Sequence, residues 1–153
     1  MNQQDDAPLA LEAFLPYKLN RAAELVSRRF ATIYNDHAGL TRPEWRTLAT
    51  LGQYGTLTAK SIGAHSSMHK TKVSRAVQSL EDRNWLTRTT DEKDRRVEHL
   101  MLTKEGARNY RNLAKLAHAF ELGLKDILGE RSFEDLNKGL AAVEEQLGED
   151  IFL

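Results

Sequence analysis

One short stretch of this chain alternates like a β-ribbon, while nearly everything around it repeats like a helix. Trp85-Leu86-Thr87-Arg88-Thr89-Thr90 reads as a strand, and Asp91-Glu92-Lys93-Asp94 as a charged turn. Val97-Glu98-His99-Leu100-Met101-Leu102 reads as the returning strand. Val97, His99 and Met101 face one way, and Glu98, Leu100 and Leu102 the other. The fold class is therefore mostly α with a small β hairpin, an α+β arrangement. At 153 residues the chain has room for one domain, or one domain with helical arms.

The rest is helical in period. Leu11, Leu15, Leu19, Ala22, Val26, Phe30 and Ile33 recur at steps of three and four, which predicts a helix over about Pro16–His37, stopped by Gly39. That stripe is too long for a small domain to cover. Thr41-Arg42-Pro43-Glu44 has the form of a capping box, and Trp45, Leu48, Ala49 and Leu51 follow it on a short helix ending near Tyr54-Gly55. Thr58 to about His65 makes another, anchored by Ile62, before a turn at Ser66-Ser67-Met68. The next helix, about His69–Arg83, buries Val73, Ala76, Val77 and Leu80, and Asn84 is a plausible C-cap. After the hairpin, Thr103 caps a long helix reaching Leu128, with Leu113, Leu116, Ala117, Phe120, Leu124 and Ile127 on one side and Gly129 as its stop. Ser132-Phe133-Glu134-Asp135 reads as a second capping box, starting a last helix to about Leu147. The chain finishes on apolar Ile151, Phe152 and Leu153.

Formal charge is zero, 22 Lys+Arg against 22 Asp+Glu, which taken alone argues against a nucleic-acid partner. The zero comes apart when the chain is divided. Residues 42–100 hold 11 Lys/Arg against 7 Asp/Glu, a net of +4; residues 1–41 carry −1 and residues 101–153 carry −3. No acid stands between Glu44 and Glu81, a gap that holds Arg46, Lys60, Lys70, Lys72 and Arg75. A basic middle between mildly acidic ends points to a polyanion at the middle.

The middle therefore runs helix, short helix, turn, longer basic helix, hairpin with a charged tip. That order is a winged helix-turn-helix. A recognition helix must offer the major groove side chains that reach base edges and phosphates. Opposite the apolar stripe, this one shows Lys70, Thr71, Lys72, Ser74, Arg75 and Gln78. Its N-terminus adds a favourable dipole for phosphate. The wing offers Lys93, Arg95 and Arg96, and an arginine there suits a narrow, electronegative minor groove.

The run Leu40-Thr41-Arg42-Pro43-Glu44-Trp45-Arg46-Thr47-Leu48 resembles the second helix of MarR-family transcription regulators. Lys70-Thr71-Lys72-Val73-Ser74-Arg75-Ala76-Val77 is similar to their recognition helix. Asp91-Glu92-Lys93-Asp94-Arg95-Arg96 is similar to their D-x-x-D-x-R wing, and Leu102-Thr103-Lys104-Glu105-Gly106 to the entry of the next long helix. The resemblance runs from about Leu11 to Leu147. It departs at His69, where the family often has a Ser or Asp cap that Ser67 would have to replace, and at Lys93, which stands for a commoner Arg.

The resemblance implies a homodimer built from the first and last helices of each subunit, which explains the uncovered stripes. The chain then divides into an N-terminal dimerisation arm (1–41), a DNA-binding lobe (42–102) and C-terminal helices completing the dimer region (103–153). Two wings and two recognition helices would meet a pseudo-palindromic operator. Carried over by position, Lys70, Thr71, Lys72, Ser74 and Arg75 become groove and phosphate contacts, and Arg95 the minor-groove residue. Arg96 either contacts DNA or braces the wing against Asp91 or Asp94. The resemblance also implies a repressor released by a small aromatic or anionic effector bound between the dimer region and the lobe. Members that begin with a segment like Phe14-Leu15-Pro16-Tyr17 suggest control of aromatic compound catabolism, with an aromatic acid or its CoA thioester as effector. Tyr17, Ser27, Trp45 and Arg46 are the candidate ligand contacts, each with a packing or surface role as its plainer reading.

Other classes fare worse. The chain has no cysteine, so disulfides, thiolate metal sites and thiol sensing are excluded. His65 and His69 are four apart but straddle the turn, so no metal site is expected. No nucleophile–base pair or phosphate loop marks an enzyme, and no cofactor is implied. The polar, acidic start Met1–Pro8 has no signal-peptide core, and no run approaches the roughly 18 apolar residues of a membrane span, so a cytoplasmic protein is expected. The main alternative is a winged-helix protein-interaction module that binds an acidic partner.

Overall fold

The computed structural model describes residues 7–148; the apolar end Ile151, Phe152 and Leu153 lies outside the described residues. Six helices and one hairpin follow in order: α1 (Leu15–Ala38), α2 (Arg42–Tyr54), α3 (Ala59–Ser66), α4 (Lys70–Asp82), β1 (Leu86–Thr90), β2 (Glu98–Leu102), α5 (Lys104–Leu128) and α6 (Glu130–Leu147). Leu11, expected on the first helix, sits instead in a separate 3-10 turn, Leu11–Ala13.

Local chemistry sets most of these boundaries. Thr41 and Glu44 form the reciprocal box at the start of α2, with Pro43 in its first turn. Thr58 caps α3 by accepting from the Ser61 N–H at 3.2 Å, and Thr103 caps α5 through the Gly106 N–H at 3.0 Å. Gly39 closes α1 in the left-handed region at φ 62°. Two non-glycine residues share that conformation at helix ends, Ser67 after α3 and Asn84 after α4.

Three expectations are corrected. The last helix does not start on the Ser132 box: it starts at Glu130, directly after Gly129, and no side chain caps it. Gly129 at φ 86° turns the chain sharply enough to begin α6 three residues early. Trp85 and Val97 lie outside the strands. Trp85 bridges instead, its N–H donating to Leu80 and its carbonyl accepting from Thr103. The turn between strands consequently spans Asp91–Val97 and closes through Asp91 N–H to Val97 O at 2.9 Å.

The strands pair antiparallel with Arg88 opposite Leu100 and Thr89 opposite His99. A two-stranded ribbon is marginal alone. Here Leu57 pairs with Leu100 through both N–H groups, tying the ribbon to the segment before α3. The core gathers Leu48, Leu51, Ile62, Val73, Val77, Leu80, Leu86 and Leu100 between α2, α3, α4 and the inner ribbon face. Gly106 is required where α5 meets that core, because a Cβ there would strike the Trp85 carbonyl. Beyond the lobe, α1 and α5 pack together through Phe30 and Phe120, whose rings are 5.2 Å apart. Their outer surfaces, and that of α6, stay apolar and exposed at Leu15, Leu25, Leu122, Ile127, Leu136 and Leu140. No helix among the described residues is long and apolar enough to cross a membrane.

Candidate nucleic-acid interface and effector cleft

α4 separates its faces as the period requires. Val73, Ala76, Val77 and Leu80 are buried, while Lys70, Thr71, Lys72, Ser74, Arg75 and Gln78 are exposed. Lys70, Lys72 and Arg75 make no ion pair among the described residues. The start of α4 is also uncapped: His69 precedes it in extended conformation and forms no side-chain cap, and Ser67, the expected substitute, is spent closing α3. The first-turn N–H groups therefore point outward beside two lysines, an arrangement that favours anions. The neighbouring His65 ring stacks on Tyr54 at 4.1 Å.

The wing lies next to this face. A groove of about 430 Å³ runs between them, lined by Lys60, Lys70 and Ser74 on the helix side and by Arg88, Arg96 and Glu98 on the ribbon. Arg88 sets that geometry, a role that sequence reasoning missed. From β1 it donates to Glu81 at 2.9 Å and Gln78 at 3.1 Å on α4, and to Glu98 at 3.1 Å on β2. Burial opposes its charge, but the bonds to Glu98 and Glu81 outweigh that and raise its pKa. Gln78 is thereby engaged, since its amide also donates to Asp82 at 3.0 Å, and it stands apart from the unpaired cations of the first turns.

The tip divides its arginines. Arg96 is bonded to Asp94, with Nε 3.2 Å from Oδ1, while Lys93 and Arg95 have no ion-pair partner among the described residues. Asp91 organises the turn: its carboxylate accepts from the Lys93 N–H at 2.8 Å and the Asp94 N–H at 3.0 Å, and lies 2.8 Å from His99 Nε2. The His99 bond first, then the two N–H bonds, hold the Asp91 carboxyl down to about 2.

Behind this face, a second missed set ties α4 to α1 and α2. Glu44 is buried; its Oε1 accepts from the Thr41 hydroxyl at 2.8 Å and its Oε2 from the Ser79 hydroxyl on α4 at 3.0 Å. Arg83, just past α4, donates to the carbonyls of Ala38 at 2.7 Å and Gly39 at 2.8 Å, which satisfies the C-terminus of α1. Its guanidinium also lies 3.5 Å from Glu44 and 5.2 Å over the Trp85 ring. The capping box is a local signal, but these partners stand 35 to 45 residues away in sequence.

A cleft of about 260 Å³ opens between α1, α2 and α5. Phe30, Tyr34, Trp45 and Phe120 supply aromatic walls, and Ser27, Arg42, Arg46 and Glu121 its polar lining. Three of the expected ligand contacts, Ser27, Trp45 and Arg46, thus meet at one place. Tyr17 lies elsewhere, on the first turns of α1 beneath the Arg21 guanidinium. Arg42 is held 3.3 Å from Glu24, which also pairs with Arg28. The Arg28 bond first, and then that of Arg42, keep the Glu24 carboxyl below its usual value.

Comparison with known proteins gives consistent results. Residues 40–97 match the model of the MarR family. The chain is 27% identical over 121 residues to YwoH of Bacillus subtilis (strain 168), an uncharacterized HTH-type transcriptional regulator, covering 79% of this chain and 85% of that one. It shares 26% identity and a TM-score of 0.74 with the MarR family transcriptional regulator SPO1453 of Silicibacter pomeroyi DSS-3, over 89% of this chain and 99% of that one. The fold is also that of NadR, solved with 4-hydroxyphenylacetate, at 23% identity and TM-score 0.72, over 90% and 96% of the two chains. It is likewise that of Streptococcus pneumoniae FabT, solved with DNA, at 21% identity and TM-score 0.68, over 86% and 96%.

Proposed function

We propose that this chain is a MarR-family transcriptional regulator, two copies of which hold a pseudo-palindromic operator as a repressor and release it when a small aromatic anion binds. The observation that carries the DNA reading is the cation set Lys70, Lys72 and Arg75, unpaired among the described residues, on the uncapped start of α4, beside a wing whose Lys93 and Arg95 are likewise unpaired among them. Within this reading α4 enters the major groove, Thr71 and Ser74 reach base or phosphate, and Arg95 enters the minor groove. Arg96 braces the tip through Asp94, and Gln78 serves chiefly as a strut for Arg88. Residues 42–102 form the reading lobe. The exposed apolar faces of α1, α5 and α6 support residues 1–41 and 103–153 as the dimer region.

The cleft supports the effector class. Four aromatic side chains with two guanidinium groups suit a planar ring bearing a carboxylate. At about 260 Å³ it takes a single-ring acid, and the nucleotide part of a CoA thioester would remain outside. That NadR was solved with 4-hydroxyphenylacetate fits this choice. Arg46, which has no ion-pair partner among the described residues, is the anchor for the carboxylate. The ligand acts only through its preference for one dimer shape over another. A coupling of about 1–3 kcal/mol weakens operator binding roughly 5- to 150-fold.

The test is a mobility shift with a duplex from the gene's own upstream region. Arg75→Ala should weaken binding and relax its specificity; Arg95→Ala should weaken it and flatten its salt dependence. No salt-sensitive shift by the wild-type protein would turn the assignment to the protein-interaction alternative.

A further inference from the structure

The wing turn is built around one carboxylate. Asp91 Oδ1 accepts both N–H groups that shape the turn, those of Lys93 at 2.8 Å and Asp94 at 3.0 Å. Its Oδ2 is left for His99 on β2, whose Nε2 is 2.8 Å away. His99 is therefore a side-chain strut between the strands and the loop that carries Lys93 and Arg95. The Arg96–Asp94 pair does not serve this purpose. It spans two residues within the loop, and the Arg96 side chain is 91% exposed.

The surroundings of His99 are simple. Register places Thr87, Thr89 and Met101 on its face of the ribbon. Arg88 and Glu98 belong to the opposite face, turned to α4 with Glu81. The loop contributes Asp91, Glu92, Lys93, Asp94, Arg95 and Arg96. From α5, Tyr110 and Arg111 line a groove together with Met101. Among the described residues, Asp91 is thus the one charged group bonded to the ring.

We propose that His99 is a positioning residue for operator binding, holding the wing turn through Asp91 in the shape that presents Arg95 and Lys93. This rests on the DNA-binding reading above. Without His99, Asp91 Oδ2 loses its partner, the carboxylate is free to rotate, and its two bonds to the turn weaken. The ring's N–H donates the hydrogen bond that Oδ2 accepts, so a side chain that keeps an N–H donor at this place keeps the hold.

Fluorescence anisotropy with the upstream duplex, the full-length protein and its His99→Leu, His99→Gln and Arg95→Ala variants tests this. His99→Leu should bind about fivefold more weakly than wild type. His99→Gln keeps an N–H donor toward Asp91 and should restore most of that binding, a rescue that a role in packing alone would not give. Both His99 variants tracking wild type while Arg95→Ala is weakened would overturn the proposal alone. No shift by wild type would overturn the DNA reading, and this proposal with it.

Discussion

Arg83→Ala should be one of the most damaging substitutions outside the apolar core. Two charge-assisted bonds, at 2.7 and 2.8 Å, join its guanidinium to the last carbonyls of α1. A hydrogen bond with one charged partner contributes roughly 1.5–3 kcal/mol net. The side chain is 32% exposed, which places each bond at the low end because water replaces part of the loss. Glu44, almost buried, also loses its cation at 3.5 Å, and the Trp85 ring loses a cover. Together these give about 3–4 kcal/mol. Arg83→Lys should recover less than half, since an ammonium cannot form the planar fork that reaches two carbonyls and an aromatic face together. Urea unfolding is the assay, run at one fixed protein concentration. With a slope of about 1–3 kcal/mol per molar, the midpoint should fall by roughly 1 M or more. A midpoint within about 0.3 M of wild type would refute the view that Arg83 joins α4 to α1.

Three further results are expected. Gly106→Ala should destabilise by at least about 1–3 kcal/mol in the same assay, because the Trp85 carbonyl occupies the space of the new methyl and is fixed by Thr103; wild-type stability would show that α5 shifts freely there. Lys70→Ala and Lys72→Ala should each lower the salt slope of operator binding by about one, and an unchanged slope would remove that lysine from the phosphate contacts. The Asp91 carboxyl, held down to about 2, favours the folded state above its ordinary pKa, and that contribution is lost as pH falls toward 2. Carbon-detected NMR titration should find it well below the usual aspartate value in wild type and closer to that value in His99→Leu; an ordinary value in wild type would refute the strut.

What could be read from sequence was what neighbours in sequence decide. The Thr41–Glu44 box lies within four residues, the α4 stripe follows from period, and both appear as expected. The cations of α4 were legible for the same reason, since facing follows spacing. The Ser132 box shows the limit of local pattern: a glycine at φ 86° can open a helix without any capping side chain. The Leu57–Leu100 bridge, Arg88 across α4 and β2, and Arg83 on α1 join distant segments, so no local pattern announces them. Among the ligand candidates, Trp45 and Arg46 lie one residue apart on α2 and reach the cleft together, whereas Tyr17 is carried away by the length of α1.

The bare start of α4 also has a kinetic meaning. The Val73 N–H is the first in that helix with an intrahelical acceptor, at 3.1 Å from His69 O. Ahead of it the amides of Lys70, Thr71 and Lys72 have no backbone or side-chain acceptor among the described residues. In the free protein these three hydrogens should exchange with solvent within the helix's fastest class, while those of Val77 and Leu80 exchange only with wider opening. An operator phosphate seated on that turn would slow them without altering the rest of the helix. The reading head would then be completed by what it reads, its first turn becoming fully bonded only on DNA.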